Sequence, residues 1–324
     1  MEAAGAVPET LIFVDVDGVL NVGIRDGGST PILLEENGCK YAASKHREGT
    51  SSNSEQDSLV EKVFSVMERP AGSVKAGTTL RALACRTGEL LSDLLVVRLA
   101  IIIKAAAGTD VGAGAGDSGR LRVVLASNWR SPKHAGRVHG LEQLLSRYLK
   151  RPFVFDAATR EGEEHVAADR LRCIGDFVRD RFRAAEQEGG AVAGGMGAAS
   201  ELRILVLEDF FITPMQDWDC DGNIIRSVTD AEDYISSCAP PSAKVSVRIL
   251  HPYEEWRSRS GLKVQVGVGL TEQHCREAAA FLSGATTAAV AAQQQQQHHQ
   301  CGSDDDEDAD DLEDESVDED SWCC

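Results

Sequence analysis

Short apolar runs alternate with longer amphipathic stretches along most of the chain. Four runs have the character of strands, at residues 10–16, 121–126, 203–207 and 245–250. Because they are nearly continuous in apolar residues, we expect strands buried on both faces, as in a parallel sheet. Helical periodicity marks the segments at 89–107, 141–149, 164–184 and 271–283. This alternation predicts an α/β fold with three layers, in which helices cover both faces of a Rossmann-like parallel sheet.

Two regions break the alternation. Residues 23–78 follow the first strand and are polar and rich in Gly, Ser and Glu, with a weak helical patch at Leu59–Val66. We interpret them as an insertion, either a small cap or a partly disordered segment. A Gln/His tract and an acidic run fill the end of the chain, where we expect a disordered tail. The sequence therefore predicts one domain at 8–284 and a tail at 285–324.

The net charge is concentrated in the tail. The formal charge of the 324 residues is −19, but 13 Asp and Glu lie between Ser303 and Asp320. The body is therefore only mildly acidic, and the low isoelectric point does not exclude a basic groove. The stretch Arg130–Arg151 holds six Lys and Arg against one acid, Glu142. Such a stretch is typical of a surface that binds a polyanion, or equally of a solvated helix face paired with the acidic tail.

Membrane and secreted classes do not fit the sequence. The first apolar stretch, Leu11–Val14, meets Asp15 at once and lacks the basic segment that precedes a signal sequence. The longest later one, Leu90–Ala107, contains three charged residues and is too short to span a bilayer. The nine cysteines form no CxxC pair, which favours a reducing compartment. We expect an intracellular protein, cytoplasmic or nuclear, without a signal peptide or transmembrane segment.

Polar residues follow three of the predicted strands. Asp15 and Asp17 come after the first strand and precede Gly18, whose freedom allows a sharp turn. The second strand leads into Ser127-Asn128-Trp129-Arg130, and the third into Glu208-Asp209. Clustered carboxylates repel one another unless a cation or proton holds them, and oxygen ligands suit Mg²⁺. A hydroxyl and an arginine beside such a metal suit a phosphoryl group.

These motifs resemble those of a known enzyme superfamily. The chain carries, in this order, DxDG, a Ser, a basic residue on a helix and a pair of acids. This order resembles that of the motifs in the haloacid dehalogenase (HAD) superfamily. The segments VDVDGVLN, LASNWR, LVLED and VGVGLTEQH are similar, more narrowly, to the HAD-like domain of the Swiss Army Knife RNA repair proteins. The likeness covers about residues 10–22, 89–130, 160–210 and 262–284.

The resemblance implies a role for each matching residue. Asp15 would be the nucleophile that forms an aspartyl-phosphate, and Asp17 the general acid and base. Ser127 would bind the phosphoryl oxygens together with the Asn128 backbone. The contacts to the substrate would be completed by Gly18 and Arg130.

The resemblance also implies a metal site and a basic residue. Mg²⁺ would be held by Asp15, the Asp17 carbonyl, Glu208 and Asp209. The Glu-Asp pair replaces the family's usual Asp-Asp, and the longer Glu side chain would shift or weaken the bound metal. Arg170 fits best as the cation that stabilises the acyl phosphate, while Arg160 and Arg172 remain open.

Two further motifs compete with this assignment. Residues 175–180 spell GDxxxD, a common form of the acidic motif, but they lie within a helical pattern and we interpret them as a solvated helix face. Residues 217–224 match the first eight positions of an EF-hand loop. The twelfth position is Val228 instead of Glu, so a tight acidic turn is favoured over a calcium site at Asp217–Asp221.

The sequence therefore favours a Mg²⁺-dependent phosphohydrolase that acts through an aspartyl-phosphate. Its partner would be a phosphorylated substrate, either a small molecule or a nucleic-acid end. Two alternatives stay open, an RNA end phosphatase in repair and a phosphate-binding or scaffold protein without catalysis. The sequence leaves the oligomeric state open.

Overall fold

A computed structural model describes residues 9–25, 31–48, 55–72, 77–108, 121–161, 167–189, 201–210, 218–220 and 223–284. Its strands are β1 (Glu9–Val14), β2 (Gly23–Arg25), β3 (Ile32–Leu33), β4 (Leu121–Leu125), β5 (Ala157–Ala158), β6 (Glu201–Leu207), β7 (Trp218–Cys220), β8 (Asn223–Ile225), β9 (Lys244–Leu250), β10 (Tyr253–Arg257) and β11 (Lys263–Gly267). Its helices are α1 (Glu36–Glu48), α2 (Glu55–Met67), α3 (Asp93–Gly108), α4 (Ala135–Leu149), α5 (Ala167–Gly189), α6 (Val228–Ser237) and α7 (Glu272–Ser283).

Five parallel strands form the central sheet in the order β5–β4–β1–β6–β9. Strand β1 lies in the middle, and its last residue, Val14, pairs with Leu125 on one side and Leu207 on the other. The four predicted apolar runs are all strands of this sheet, so the parallel α/β fold is confirmed. The register brings the carboxyl ends of β1, β4 and β6 to one edge.

Alternate residues of the central strands pack into two separate cores. Ile12 and Val14 face a core that contains buried side chains of α3, α4 and α7. Leu11 and Phe13 face the opposite core, which is built with α5 and α6. Because successive side chains of a strand point to opposite faces, a central strand covered on both sides must be apolar throughout. Helices on both faces give the three layers that the sequence predicts.

The predicted insertion carries more regular structure than its composition indicates. Within residues 23–78, the described part contains β2, β3, α1 and α2, and the weak helical patch at Leu59–Val66 lies inside α2. Strands β2 and β3 join the hairpin β10–β11 in a second, antiparallel sheet of order β10–β11–β2–β3. The insertion therefore shares a sheet with a hairpin near the other end of the described chain.

A polar network fastens α2 to that hairpin. The Glu61 carboxylate accepts hydrogen bonds from Ser258 Oγ at 2.7 Å, from Ser260 Oγ and from the Ser260 amide at 3.2 Å. Trp256 Nε1 donates to Ser65 Oγ at 3.2 Å, and the Arg69 guanidinium lies 4.6 Å from the centre of the Trp256 ring. These contacts, which we call the Glu61 network, fasten α2 of the insertion to the β10–β11 hairpin.

Other boundaries differ from the sequence predictions. Helix α4 begins at Ala135, six positions before the predicted start, and α6 and the β10–β11 hairpin were not predicted. The GDxxxD segment at 175–180 lies inside α5, as predicted, but it is not a solvated face, because Gly175 and Val178 are buried and Asp180 alone is exposed within it. Asp217, Asp221 and the tail at 285–324 lie outside the described residues. No helix in the described part of the chain is both long and apolar enough to cross a membrane.

Candidate active site

Three buried carboxylates meet at the carboxyl edge of the central sheet. Asp15 follows β1, and Glu208 and Asp209 follow its neighbour β6. All three are fully buried, and one oxygen of each lies within 4.8 Å of the others. Among the described residues no other group of acids, histidines or cysteines has this geometry. The parallel register of β1 and β6 places the acids, which we call the acid cluster, side by side.

Arg170 supplies positive charge to the acid cluster. It lies on the first turn of α5, and its Nη2 is 3.0 Å from Asp15 Oδ2. Its Nη1 donates a hydrogen bond to Glu208 Oε1 and lies 3.7 Å from Asp209 Oδ1. Burial by itself lowers the pKa of Arg170, but the three carboxylates outweigh it and raise the pKa above its usual value. Arg170 therefore stays charged.

The two alternative arginines do not reach the acids. Arg160 forms an ion pair with Asp176, and Arg172 with Asp169 at 2.7 Å on its own helix. Both ion pairs are partly exposed to solvent. Of the three candidates for the basic residue, the structure brings Arg170 alone into the acid cluster.

A second cation at the cluster, Arg25, was not predicted. It is the last residue of β2, and its Nη2 donates to Asp209 Oδ1 at 2.7 Å and to the Asp209 carbonyl at 3.1 Å. No sequence pattern marks Arg25, because its contact with Asp209 depends on how the antiparallel sheet packs against the central sheet. The insertion thus contributes directly to the site.

The acid cluster still carries more negative charge than its cations can satisfy. Burial raises the pKa of Glu208 well above its ordinary value, with Asp15 and Asp209 adding to the effect and Arg170 opposing it. Burial likewise raises the pKa of Asp209 to about 6, against the pull of Arg25. Several oxygens receive no hydrogen bond in the described structure: both of Asp15, Glu208 Oε2 and Asp209 Oδ2. Although Arg170 is close to Asp15, it is not aligned for a hydrogen bond.

Unpaired buried carboxylate oxygens are costly, and these oxygens could be satisfied by a proton or by a cation. The donor set consists entirely of carboxylate oxygens, which are ligands for Mg²⁺ and poor ligands for softer metals. The residues present therefore fit a magnesium ion. The side chain of Asp17 is not part of this group, and the ligand role of its main-chain carbonyl stays a prediction.

Asp17 is held in place by two side chains. Asn21 Nδ2 donates to its Oδ1 at 3.0 Å, and Trp129 Nε1 donates to its Oδ2 at 3.2 Å. Burial, and then the nearby charge of Asp15, raise the pKa of Asp17 above its ordinary value. Trp129 is 3% exposed and packs in the core, and its indole N–H also fixes a predicted catalytic group. The raised pKa suits a residue that must carry a proton.

Glycines let three segments meet around the acid cluster. Gly18 has a φ of +82°, and a Cβ there would stand 1.9 Å from Asp209 Oδ2. At Gly267, the last residue of β11, a Cβ would come within 2.4 Å of both Gly18 Cα and Asp209 Oδ2. Backbone hydrogen bonds from Gly269 to Gly18 and from Leu270 to Val19 continue this contact. The glycines of the VGVGLT segment thus allow it to pack directly behind the Asp15–Asn21 loop.

The polar residues after β4 occupy the same edge. Ser127 is fully buried, and its Oγ accepts a hydrogen bond from the Trp129 amide at 3.3 Å, capping a 3₁₀ turn at Asn128–Arg130. Capping uses the hydroxyl as an acceptor, so its proton remains available for another oxygen. Arg130 turns back, donating from Nη1 to the Ala126 carbonyl at 2.9 Å, and burial lowers its pKa. Its predicted contact with substrate stays a prediction.

Comparisons of the chain with protein-family models, with curated proteins and with solved structures found no match in any of the three.

Proposed function

We propose that the chain is a Mg²⁺-dependent phosphomonoesterase of the HAD superfamily, working through an aspartyl-phosphate on Asp15. The observation that carries the proposal is the acid cluster, with Arg170 reaching into it and hydroxyl and amide donors from the neighbouring strand end beside it. A carboxylate nucleophile needs a polarised phosphoryl group, and this edge of the sheet supplies the charges for one.

Asp15, Glu208, Asp209 and the Asp17 main-chain carbonyl would hold the metal. When bound, Mg²⁺ would neutralise charge on the phosphoryl oxygens and make the phosphorus more electrophilic. The unpaired oxygens of the three acids are the atoms that would face it. Arg170 already occupies Glu208 Oε1, which leaves Glu208 Oε2 for the metal.

In the first step, an oxygen of Asp15 attacks phosphorus and the bond to the leaving oxygen breaks. Asp17, whose raised pKa favours the protonated form, gives its proton to that leaving oxygen. In the second step, Asp17 takes a proton from water as the water attacks phosphorus, which releases inorganic phosphate and frees Asp15. Asn21 and Trp129 keep the Asp17 carboxyl in one orientation through both steps. Ser127 would donate to a phosphoryl oxygen, and Arg170 would offset charge on the acyl phosphate.

The test is a phosphatase screen over phosphorylated small molecules and end-phosphorylated oligonucleotides, with Mg²⁺ or with EDTA. We expect turnover that requires Mg²⁺ and that Asp15→Asn lowers by several orders of magnitude. Asp180→Asn is the matched control, because Asp180 ends the GDxxxD segment and is 72% exposed in its ion pair on α5. Wild-type activity in a folded Asp15→Asn variant would disprove the mechanism. A scaffold protein would show no turnover in any of the three proteins.

An RNA end phosphatase is the second candidate, supported by one contact. Within the basic stretch Arg130–Arg151, Arg137 is exposed and its guanidinium lies 5.9 Å from the centre of the Trp129 ring, beside Asp17. The candidate predicts that a single-stranded, end-phosphorylated oligonucleotide binds and that its affinity falls with salt. Negligible binding at low salt, or binding unchanged in a Lys133→Glu, Arg137→Glu variant, would remove this candidate.

A further inference from the structure

A cavity of about 540 Å³ opens next to Asp17, between the insertion and the central domain. We call it the insertion cavity. Side chains of β3, α1 and α2 line it on the insertion side, and Asp17, Leu90 and Trp129 on the other. Its volume lies within the range of sites that hold small organic molecules. The cavity is therefore large enough for the body of a substrate.

The walls of the insertion cavity are mainly apolar. The contributing side chains of the insertion include Ile32, Leu33, Leu59, Val60 and Val63. All but Val63 remain partly exposed, although Ile32, Leu59 and Val60 pack against the main core. Tyr41 lies at the same cavity and is 47% exposed. Covering the partly exposed apolar side chains of a cavity with an apolar ligand is favourable, because it removes apolar surface from water.

Charge in the cavity does not suit a polyanion. Its lining includes two acids, Asp17 and Glu35, against one cation, Arg137. A nucleic-acid strand would bring further phosphates, and these need Lys and Arg along their path. An uncharged ligand body needs no such row of cations.

Asp17 connects the cavity to the chemistry. It is the group proposed to protonate the leaving oxygen, and its side chain lines the cavity. Asn21 donates both to Asp17 Oδ1 and to the Leu90 carbonyl, at 3.0 and 2.9 Å, so the apolar wall begins directly beside the carboxyl. Whatever is bonded to the leaving oxygen must then extend into this space.

We infer that the preferred substrate is a phosphomonoester of an uncharged, largely apolar alcohol or phenol, whose organic group fills the insertion cavity. The inference rests on the proposed function, since that function places the leaving oxygen at Asp17. The insertion then sets specificity: its helices form the surface that recognises the leaving group, while the strand ends handle the phosphoryl group.

The first experiment compares 2-phenylethyl phosphate with glycerol 3-phosphate in the presence of Mg²⁺. Both leaving groups are primary alcohols, so the intrinsic chemistry is matched and the groups differ in what enters the cavity. We expect kcat/KM to be at least about tenfold higher for the phenylethyl ester, since burying a phenyl group is worth more than that factor. An end-phosphorylated oligonucleotide serves as the third substrate.

Variants of cavity residues test whether the insertion cavity causes the preference for the phenylethyl ester. Leu59→Gln and Tyr41→Gln should each reduce the ratio of the two kcat/KM values severalfold, because they place an amide in the apolar wall. Ile101→Gln is the matched control: Ile101 is 48% exposed on α3, is not part of the cavity lining, and should leave the ratio unchanged. Thermal melts confirm that each variant is folded, and Tyr41→Gln is the more conservative change because Tyr41 is already half exposed.

A binding measurement separates this inference from the proposed function. Calorimetry compares 3-phenylpropylphosphonate with 3-hydroxypropylphosphonate, neither of which can be hydrolysed, on wild type and Leu59→Gln. Tighter binding of the phenyl compound to wild type, lost in the variant, supports the inference even if no ester is turned over. Equal affinities, equal kcat/KM values or a preference for the oligonucleotide would each overturn it, while Mg²⁺-dependent turnover of any ester would leave the proposed function standing.

Discussion

Two polar networks in this protein are built in opposite ways. In the Glu61 network, one carboxylate accepts three hydrogen bonds from Ser258 and Ser260. In the acid cluster, three fully buried carboxylates share two arginines and keep several oxygens unpaired. The first arrangement stabilises a contact between two parts of the fold. The second leaves several buried oxygens without hydrogen bonds. Such atoms are expected at sites where a ligand supplies the missing contacts.

The pKa values of the two networks move in opposite directions. Hydrogen bonds from Ser260 and Ser258 outweigh the effect of burial and lower the pKa of Glu61 below its ordinary value. Burial dominates at the acid cluster and raises the pKa of Asp209 to about 6. The folded state thus stabilises the ionised form of Glu61 but the protonated form of Asp209. This contrast distinguishes a carboxylate that fastens structure from one that is buried beside other carboxylates.

The largest expected effect follows from removing the cation of the acid cluster. Without metal, Arg170→Gln should lower the free energy of unfolding by about 3–5 kcal/mol, since it leaves buried carboxylates uncompensated. Arg172→Gln on the same helix is the control and should cost less than about 1 kcal/mol, because its ion pair with Asp169 is partly exposed. Denaturant titrations in EDTA give both values. Equal losses would mean that Arg170 does not compensate the cluster.

A smaller effect is expected from breaking the Glu61 network. Glu61→Ala removes the acceptor of three hydrogen bonds and should cost about 1–2 kcal/mol in unfolding free energy. Glu68→Ala, an exposed change just beyond the end of α2, is the control and should be nearly neutral. Both are measured with Mg²⁺ present. A loss for Glu61→Ala below about 0.5 kcal/mol would contradict the fastening role.

The dependence on pH should have opposite signs in the two networks. Since the pKa of Asp209 is raised, its contribution to stability falls as pH rises from about 4 to about 6. In EDTA, Asp209→Asn should therefore gain stability relative to wild type over that interval. The lowered pKa of Glu61 means that its contribution is complete above its ordinary value and is lost as pH falls through the folded value. The stability that Glu61→Ala loses relative to wild type should therefore shrink in acid. If the stability differences of the two variants from wild type changed with pH in the same direction, the contrast would be refuted.

The smallest expected effect is a difference in Mg²⁺ dependence between two residues of the acid cluster. We expect Asp209→Asn to raise the Mg²⁺ concentration needed for half-maximal activity more than Glu208→Gln does. Each acid has one oxygen bonded to an arginine, so the ranking rests on the HAD resemblance, in which Asp209 occupies the position of the more constant acid. Mg²⁺ titrations of activity and of melting temperature rank the two variants. A larger shift for Glu208→Gln would reverse the ligand assignment.

The central sheet and the acids at its edge were predictable because both depend on short stretches of sequence. Strands buried on both faces must be apolar throughout, so β1 and β6 are visible as runs that end at Asp15 and Glu208. Helix α1 was missed because only Cys39 and Ala42 are buried along its 13 residues, too few for an apolar stripe. Strand β10 was missed because it has no buried residue.

The rest of the site depends on contacts between distant parts of the chain. Arg25 reaches Asp209 because β2 pairs with β11, and no local pattern around Arg25 predicts that pairing. The hydrogen bond from Trp129 to Asp17 likewise depends on the register of β4 beside β1. The insertion cavity could not be predicted, since its walls come from β3, α1, α2 and several segments of the central domain, whose packing the sequence leaves open.

The second sheet also determines when the site can form during synthesis. Ile24 of β2 pairs with Val266 of β11, which leaves the ribosome long after β2 has done so. Until then, β2 and β3 lack their main partner, Arg25 cannot reach Asp209, and the backbone of Gly18 and Val19 lacks the contacts made by Gly269 and Leu270. Pairing across such a separation is slow because a long loop must close first. The nascent chain therefore keeps this edge of the central sheet incomplete until β11 has been synthesised.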